Sequence, residues 1–429
     1  MGSQGRRRRL RVVGALAGAL VVSAAPAAGP APIAGAAAAA PTATTLDDVQ
    51  AQQWYLEPMQ VEQMWKAGTG EGVKVAVIDS GVNADTPSLK GQVLVDEVPE
   101  AVGHRPTDDY TGLGTTMAEL IAGTGAGGGI QGLAPGARIV PYRVELDTMR
   151  AGAEEKRKTP DLSEALTAAA DTDVKIINMS LSSRWLTGNE EAAVEYAASK
   201  GKLLIASVGN DGGKEGEIGY PARDPYVVGV TASDSSGTVS KTASYGDHVD
   251  LAAPGDKIPR WCDADFAAYC AGDPDTRPAA ALVSGAAALI WSAHPDWTVN
   301  QVTRALIDTA GRSWDKDNPS KYLGYGLIRP RKVLEDAGYD AGAADVDPLA
   351  KENGGDLLAA SGAEAGDDTP SDGGQDTADS SVSAASTAPP PNHYDPLWLS
   401  LSAAATVIGL ATTVIALLQL RRGRTAWQR

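Results

Sequence analysis

Five polar or charged residues of this chain fall where the local pattern ends a strand or opens a helix, and their types could act on a ligand. Asp79 closes the run in VAVIDSGV, Asn178 and Ser180 lie in IINMSL, Asn210 sits in the glycine turn of IASVGNDG, and Arg277 stands at the entrance of DTRPAAALVSG. A carboxylate in such a place can orient a base or hold a cation, and a side-chain amide can donate to a developing anion. A serine hydroxyl becomes a nucleophile only beside a base. Taken singly, each has an ordinary explanation, because Asp and Asn at strand ends most often form turns. Arg277 is the odd member. From Pro278 the segment runs as small apolar residues with the look of a tightly packed helix, and a guanidinium at its mouth needs a reason.

The elements that must position these residues alternate in type. VKVAVID (73–79), RIVPYRV (138–144), VKIINMS (174–180), KLLIASV (202–208) and YVVGVTA (226–232) read as buried strands rich in Val and Ile. Helix candidates at 115–123, 161–170 and 190–200 lie between them. The alternation predicts an α/β domain over 47–340, a parallel sheet with helices on both faces. In such sheets ligands meet the chain beyond the carboxyl ends of the strands, where Asp79, Ser180 and Asn210 fall.

The two ends read differently. Residues 1–40 hold a basic head (6–11), an apolar core (12–22) and an Ala/Pro-rich spacer, the layout of an export signal, with a retained anchor helix as the alternative. Residues 397–420 contain no charge and are long enough to cross a bilayer, so they predict a C-terminal transmembrane helix. The basic tail 421–429 (RRGRTAWQR) is expected to stay in the cytoplasm, which places the domain on the outer side of a cell membrane with a single-pass anchor. Residues 341–395 carry eleven Asp or Glu against one Lys, more than half of the net charge of −17, in a Gly-, Ser-, Ala- and Pro-rich setting. That composition predicts a flexible acidic stalk. Basic residues cluster only at the membrane-related ends, so no nucleic-acid partner is indicated. Cys262 and Cys270 are the two cysteines; outside the cell a small disulfide ring is favoured over two free thiols. Their spacing, with no histidine nearby, does not suit a metal site.

Taken in order with GTTMAELIAG and TRPAAALVSGAAAL, the strand-end segments resemble the subtilisin-like serine proteases, the subtilases, over about residues 50–340. The ordered set of segments is highly specific. Within that family, QWYLEPMQVEQMWKAGTGEGVKVAVIDSGV (53–82), the export signal, the stalk and the single span resemble the mycosins, membrane-anchored subtilases of type VII secretion systems. The resemblance implies a subtilisin-like sheet, catalytic residues in the chain order Asp, His, Ser, and partners among the membrane components of a type VII secretion complex. Asp79 matches the triad aspartate and Asn210 the oxyanion donor. GLGT (112–115) puts Leu113 at the histidine position, and DTRPAAALVSG (275–285) puts Arg277 at the serine position. Asn178, Ser180 and Leu181 match the segment along which a substrate lies as an added strand, with Trp185 placed to narrow that groove. No cofactor is implied. Calcium occurs in the family, but no ligand cluster here supports it.

Leu113 cannot accept a proton, and Arg277 offers no accessible lone pair near neutral pH. The expected function is therefore that of a pseudoprotease, a subtilisin-like fold that serves a type VII complex as a structural or regulatory part. A module that binds an extended peptide is the alternative. A serine endopeptidase with displaced groups is the third reading, with His104, expected as an exposed loop residue, the nearest histidine in sequence. Ser284 reads as a packing residue of the apolar helix. A carboxylate left unpaired at the end of a buried strand is costly, so Arg277 is expected to enter the vacated cleft with Asp79 or Asp275 as its partner.

Overall fold

The computed structural model describes residues 43–44, 49–212 and 216–353, all within one compact unit, Met1–Ala365. After a short strand β1 (Ala43–Thr44), the chain lays down β2 (Lys74–Asp79), β3 (Arg138–Arg143), β4 (Ile176–Met179), β5 (Leu203–Ser207), β6 (Val228–Ser233) and β7 (Leu251–Pro254). These six form one parallel sheet in the order β3-β2-β4-β5-β6-β7. β8 (Pro259–Trp261) and β9 (Tyr269–Ala271) pair antiparallel, and β1 adds to β9 with Ala43 opposite Cys270. Cys262 and Cys270 are joined by a disulfide, their Cα atoms 5.1 Å apart.

The main sheet is buried on both sides, and its strands divide their side chains with period two. Val75 and Val77 enter one core while Ala76 and Ile78 enter the other; in β5, Leu203 and Ile205 oppose Leu204 and Ala206. This is why the strands read as unbroken apolar runs rather than alternating ones. The principal helices are α1 (Leu113–Ala122), α2 (Leu162–Ala170), α3 (Gly188–Ser199), α4 (Thr276–Ala293) and α5 (Val299–Thr309). Helices α1, α4 and α5 share the first core, and α2 and α3 the second. Capping boxes start three of them, Asp161 with Glu164, Thr187 with Glu190 and Thr298 with Gln301, so each begins where its sequence supplies the reciprocal pair. The small residues of α4 let it lie buried along the sheet; a Cβ on Gly285 would already stand 3.0 Å from Leu133 Cβ.

Two expectations about the ends meet the structure differently. Among the described residues no helix is long and apolar enough to cross a membrane; the expected span, the tail and the export signal lie outside those residues. The described part of the expected stalk, 341–353, packs against the domain through 341–349, and the rest of it lies outside the described residues. Ala341 and Leu349 are buried, the Arg304 guanidinium collects the carbonyls of Ala341, Ala343 and Val346, and Thr298 and Asn300 donate to Ala344 O. One arginine thus turns an acidic, small-residue segment back onto the domain.

Candidate functional site

Strand β2 ends at Asp79, while the chain leaving β3 stays beside it, Val144 N donating to Asp79 O at 2.9 Å. The chain leaving β4 continues as Ser180–Ser183. Neighbouring strands lie roughly 4.8 Å apart, so the two neighbours of β2 stand about 10 Å apart and the space beyond Asp79 is one strand wide. A cleft of about 480 Å³ opens there, and its lining includes Asp79, Leu113, Ser180, Leu181, Asn210 and Arg277. Among the described residues that line it there is no histidine.

Asp79 is 2% exposed. Its Oδ1 accepts from the Ser80 amide at 2.7 Å and the Ser80 hydroxyl at 3.1 Å, and its Oδ2 has no hydrogen-bond partner. Burial pushes its pKa up to about 7; the bonds from Ser80 and the field of Arg277 pull downward, and nearby Asp109 adds to the rise. Leu113 opens α1, whose mouth is fixed to the end of β2 by Asp109. That carboxylate accepts from Ser80 Oγ at 2.7 Å, from the Gly112 amide at 2.9 Å and from the Thr115 amide at 2.8 Å. Gly114 allows the contact, since a Cβ there would lie 2.1 Å from Gly81 O. Asp109 escaped the sequence reading; an Asp three residues before the glycine that opens a helix was the available signal.

Arg277 enters the cleft and pairs with Asp275, not Asp79. Its Nε lies 2.8 Å and its Nη2 2.5 Å from Asp275 Oδ2. Asp275 is the N-cap of α4, accepting from the Arg277 amide at 3.0 Å. Burial alone would raise its pKa, but the guanidinium, together with the bonds from the Arg277 amide and Asn210, outweighs burial and holds the carboxylate below its ordinary range. The Asn210 amide is already engaged: Nδ2 donates to Asp275 Oδ1 at 2.8 Å, and Oδ1 accepts from the Thr276 amide at 3.1 Å. A carboxylate therefore takes one of the two N–H donors of the amide that would face an oxyanion, and fixes its direction.

Three sequence readings need correction. Asn178 is fully buried and accepts from Ser284 Oγ at 3.0 Å while donating to Ser180 Oγ at 3.0 Å. It fastens β4 to α4 beneath the cleft and does not line it, because the alternation of the strand turns its side chain inward. Trp185 is 77% exposed and lies outside the lining. His104 is partly buried, 3.1 Å from Glu155, a carboxylate that also receives Arg143 at 2.9 Å, so it belongs to an ion cluster and not to the cleft. Ser180 does line the cleft, yet its hydroxyl donates to Arg277 O at 3.0 Å. A second buried carboxyl, Glu119, was not singled out. It accepts from Thr86, Trp261 and Tyr269 at 2.9, 3.1 and 2.9 Å, and burial pushes it up to about 8 against those bonds.

Residues 70–326 match the Peptidase S8 profile, described as the subtilase family. The chain belongs to the subtilase family. The minor extracellular protease Epr of Bacillus subtilis is 32% identical over 299 residues, which cover 68% of this chain and 43% of Epr, so this chain spans less than half of that relative's length. Among solved structures, the MycP3 protease from the type VII (ESX-3) secretion system superposes with a TM-score of 0.55 at 28% identity, over 68% of this chain and 89% of that one. MycP1 with its N-terminal propeptide removed gives 0.54 at 26%, over 67% and 99%. The fold is thus mycosin-like and homologous to type VII secretion proteases.

Proposed function

We propose that this chain is a non-hydrolytic subtilase, a membrane-tethered mycosin-like domain that serves a type VII secretion complex as a structural or regulatory component. The observation that carries the reading is the ion-paired Asp275–Arg277 unit bonded to Asn210. Acyl transfer needs a nucleophile, a base within reach of it, and a donor free to meet the oxyanion. At the matching positions this cleft presents a guanidinium, the Leu113 side chain, and an amide with one of its two N–H groups held by a carboxylate. His104, the nearest substitute base in sequence, is engaged with Glu155, which weighs against a protease built from displaced groups. On this reading 397–420 anchors the chain, the domain faces outward, and the basic tail is cytoplasmic.

The test uses the purified full chain. A serine-directed fluorophosphonate is expected to leave it unlabelled, and extended peptides uncut. Co-purification with type VII membrane components is expected from detergent-solubilised membranes, and Asp79→Asn should leave it intact. Labelling that maps to one serine, or assembly lost in a folded Asp79→Asn variant, would overturn the reading.

A second reading is favoured by the shape of the cleft. The slot is one strand wide, and the amides of Leu181 and Ser182 have no acceptor among the described residues. An extended peptide could add there as a strand, without being cut.

A further inference from the structure

Among the described residues, the cleft beyond Asp79 is lined by more acidic side chains than cations. The acidic ones are Asp79, Glu145, Asp147, Asp161, Glu190 and Asp211, and the single cation among the described lining residues is Arg277, already paired with Asp275. Glu145 meets Lys156 at 2.9 Å, and Asp161 and Glu190 serve helix caps. The exposed carboxylates of Asp147 and Asp211 have no hydrogen bond or ion pair among the described residues. A separate observation lies deeper: Asp79, 2% exposed, presents an Oδ2 with no partner at the end of β2.

We infer that this cleft takes an extended peptide segment bearing lysine or arginine side chains. The inference rests on the cleft's being a peptide groove, and it specifies the chemistry of the occupant. Glu145, Asp147 and Asp161 follow β3 on one wall; Glu190 and Asp211 follow β4 and β5 on the other. Among the described residues no three acidic, histidine or cysteine side chains gather where one metal ion could hold them. Charges spread along two walls match cations spaced along a strand, where alternate residues turn to opposite sides. An acidic peptide would meet repulsion from both walls.

The experiment measures fluorescence anisotropy with the full chain in detergent and two labelled peptides, one alternating lysine with alanine and one alternating glutamate with alanine. The lysine peptide is expected to bind at least about tenfold more tightly. Asp147→Asn with Asp211→Asn should weaken it about three- to tenfold. Glu57→Gln with Glu62→Gln, which removes equal charge from an exposed surface outside the cleft, should leave it unchanged. Equal affinity for the two peptides, no binding of either, or an equal loss in both double variants would overturn the inference; the last would mean diffuse attraction to the net charge of −17. Mass spectrometry of the recovered peptide separates the two readings. Cleavage of a bound lysine peptide would sink the non-hydrolytic function while still supporting the cationic preference.

Discussion

Asp79→Asn should turn from destabilising this protein at pH 4 to stabilising it at pH 8. The side chain is 2% exposed, with one oxygen bonded to Ser80 and the other unpartnered. Burial leads the causes that raise its pKa from 3.8 to about 7. Between those values the folded chain keeps a proton that the unfolded chain has released, so stability falls as pH rises through the window. The penalty is absent below about pH 3.8 and complete above about pH 7. Roughly three units at about 1.36 kcal/mol each make it about 4 kcal/mol. Asparagine removes the ionisation but sets an amide N–H where Oδ2 had no partner, which costs about 1–3 kcal/mol at every pH. The variant should therefore gain about 4 kcal/mol relative to the parent between pH 4 and pH 8, and be the more stable of the two at pH 8 by about 1–3 kcal/mol. Urea unfolding followed by tryptophan fluorescence at pH 4, 6 and 8 measures this, and taking the difference between the two proteins cancels every other titrating group. A difference that stays flat with pH, or a parent that gains on the variant as pH rises, would refute the reasoning.

Three further outcomes are expected. Glu119→Gln should gain about 3 kcal/mol relative to the parent between pH 4 and pH 7, because a carboxyl pushed up from 4.5 to about 8 must take up on folding a proton that the unfolded chain has released, and the amide can still meet Thr86; Glu119→Leu strands the Trp261 and Tyr269 donors and should be about 3–5 kcal/mol less stable than Glu119→Gln, and equal melting temperatures for the two variants would contradict the assignment. Replacing Cys262 and Cys270 by serine opens a ring of sequence separation 8 and should cost roughly 2–3 kcal/mol in chemical denaturation, with no loss pointing to compensating structure in the unfolded chain. Arg277→Ser and Leu113→His should each remain without measurable turnover, the two together are required before any appears, and Asp275→Gly, which releases the bonded N–H of Asn210, should raise it further; clear hydrolysis by Arg277→Ser alone would place a base elsewhere in the cleft.

The sheet and its helices were legible because their signals are local. Apolar runs ending in Asp79, Ser180 and Val208 mark strands, and Asp161 with Glu164 marks a helix start without reference to anything distant. Asp79, Leu113, Asn210 and Arg277 were brought to one cleft by motif order, since in a parallel sheet the strand ends share an edge. What stayed hidden depends on contacts across long separations. The direction of Asn178 is settled by Ser284, 106 residues away. Glu119 reads as one charge in an apolar helix until Trp261 and Tyr269 fold over it from the disulfide-closed hairpin. The choice of Asp275 over Asp79 as the partner of Arg277 is settled by α4, which sets Asp275 at its own N-cap, two residues from the guanidinium it must hold.

The charges around the cleft depend on one another in a way that bears on why the chemistry is hard to restore. With leucine at position 113, nothing pairs with Asp79 Oδ2, and burial raises that carboxyl's pKa. Arg277 lowers it again through its field, but a half-buried guanidinium needs its own counter-ion. Asp275 supplies it, and through that carboxylate draws in Asn210. Each group is tolerable because the next is present. Returning Arg277 alone to serine removes the cation from both Asp275 and Asp79, leaving two carboxylates in a poorly solvated site and still no base. Returning Asp275 alone to glycine frees Asn210 but strands the guanidinium. Single steps toward hydrolysis thus cost stability before they add any rate, since breaking one member of a partly buried ion pair leaves the other uncompensated. On the non-hydrolytic reading, the residues that close the reaction are also the ones that keep the vacated cleft electrostatically satisfied.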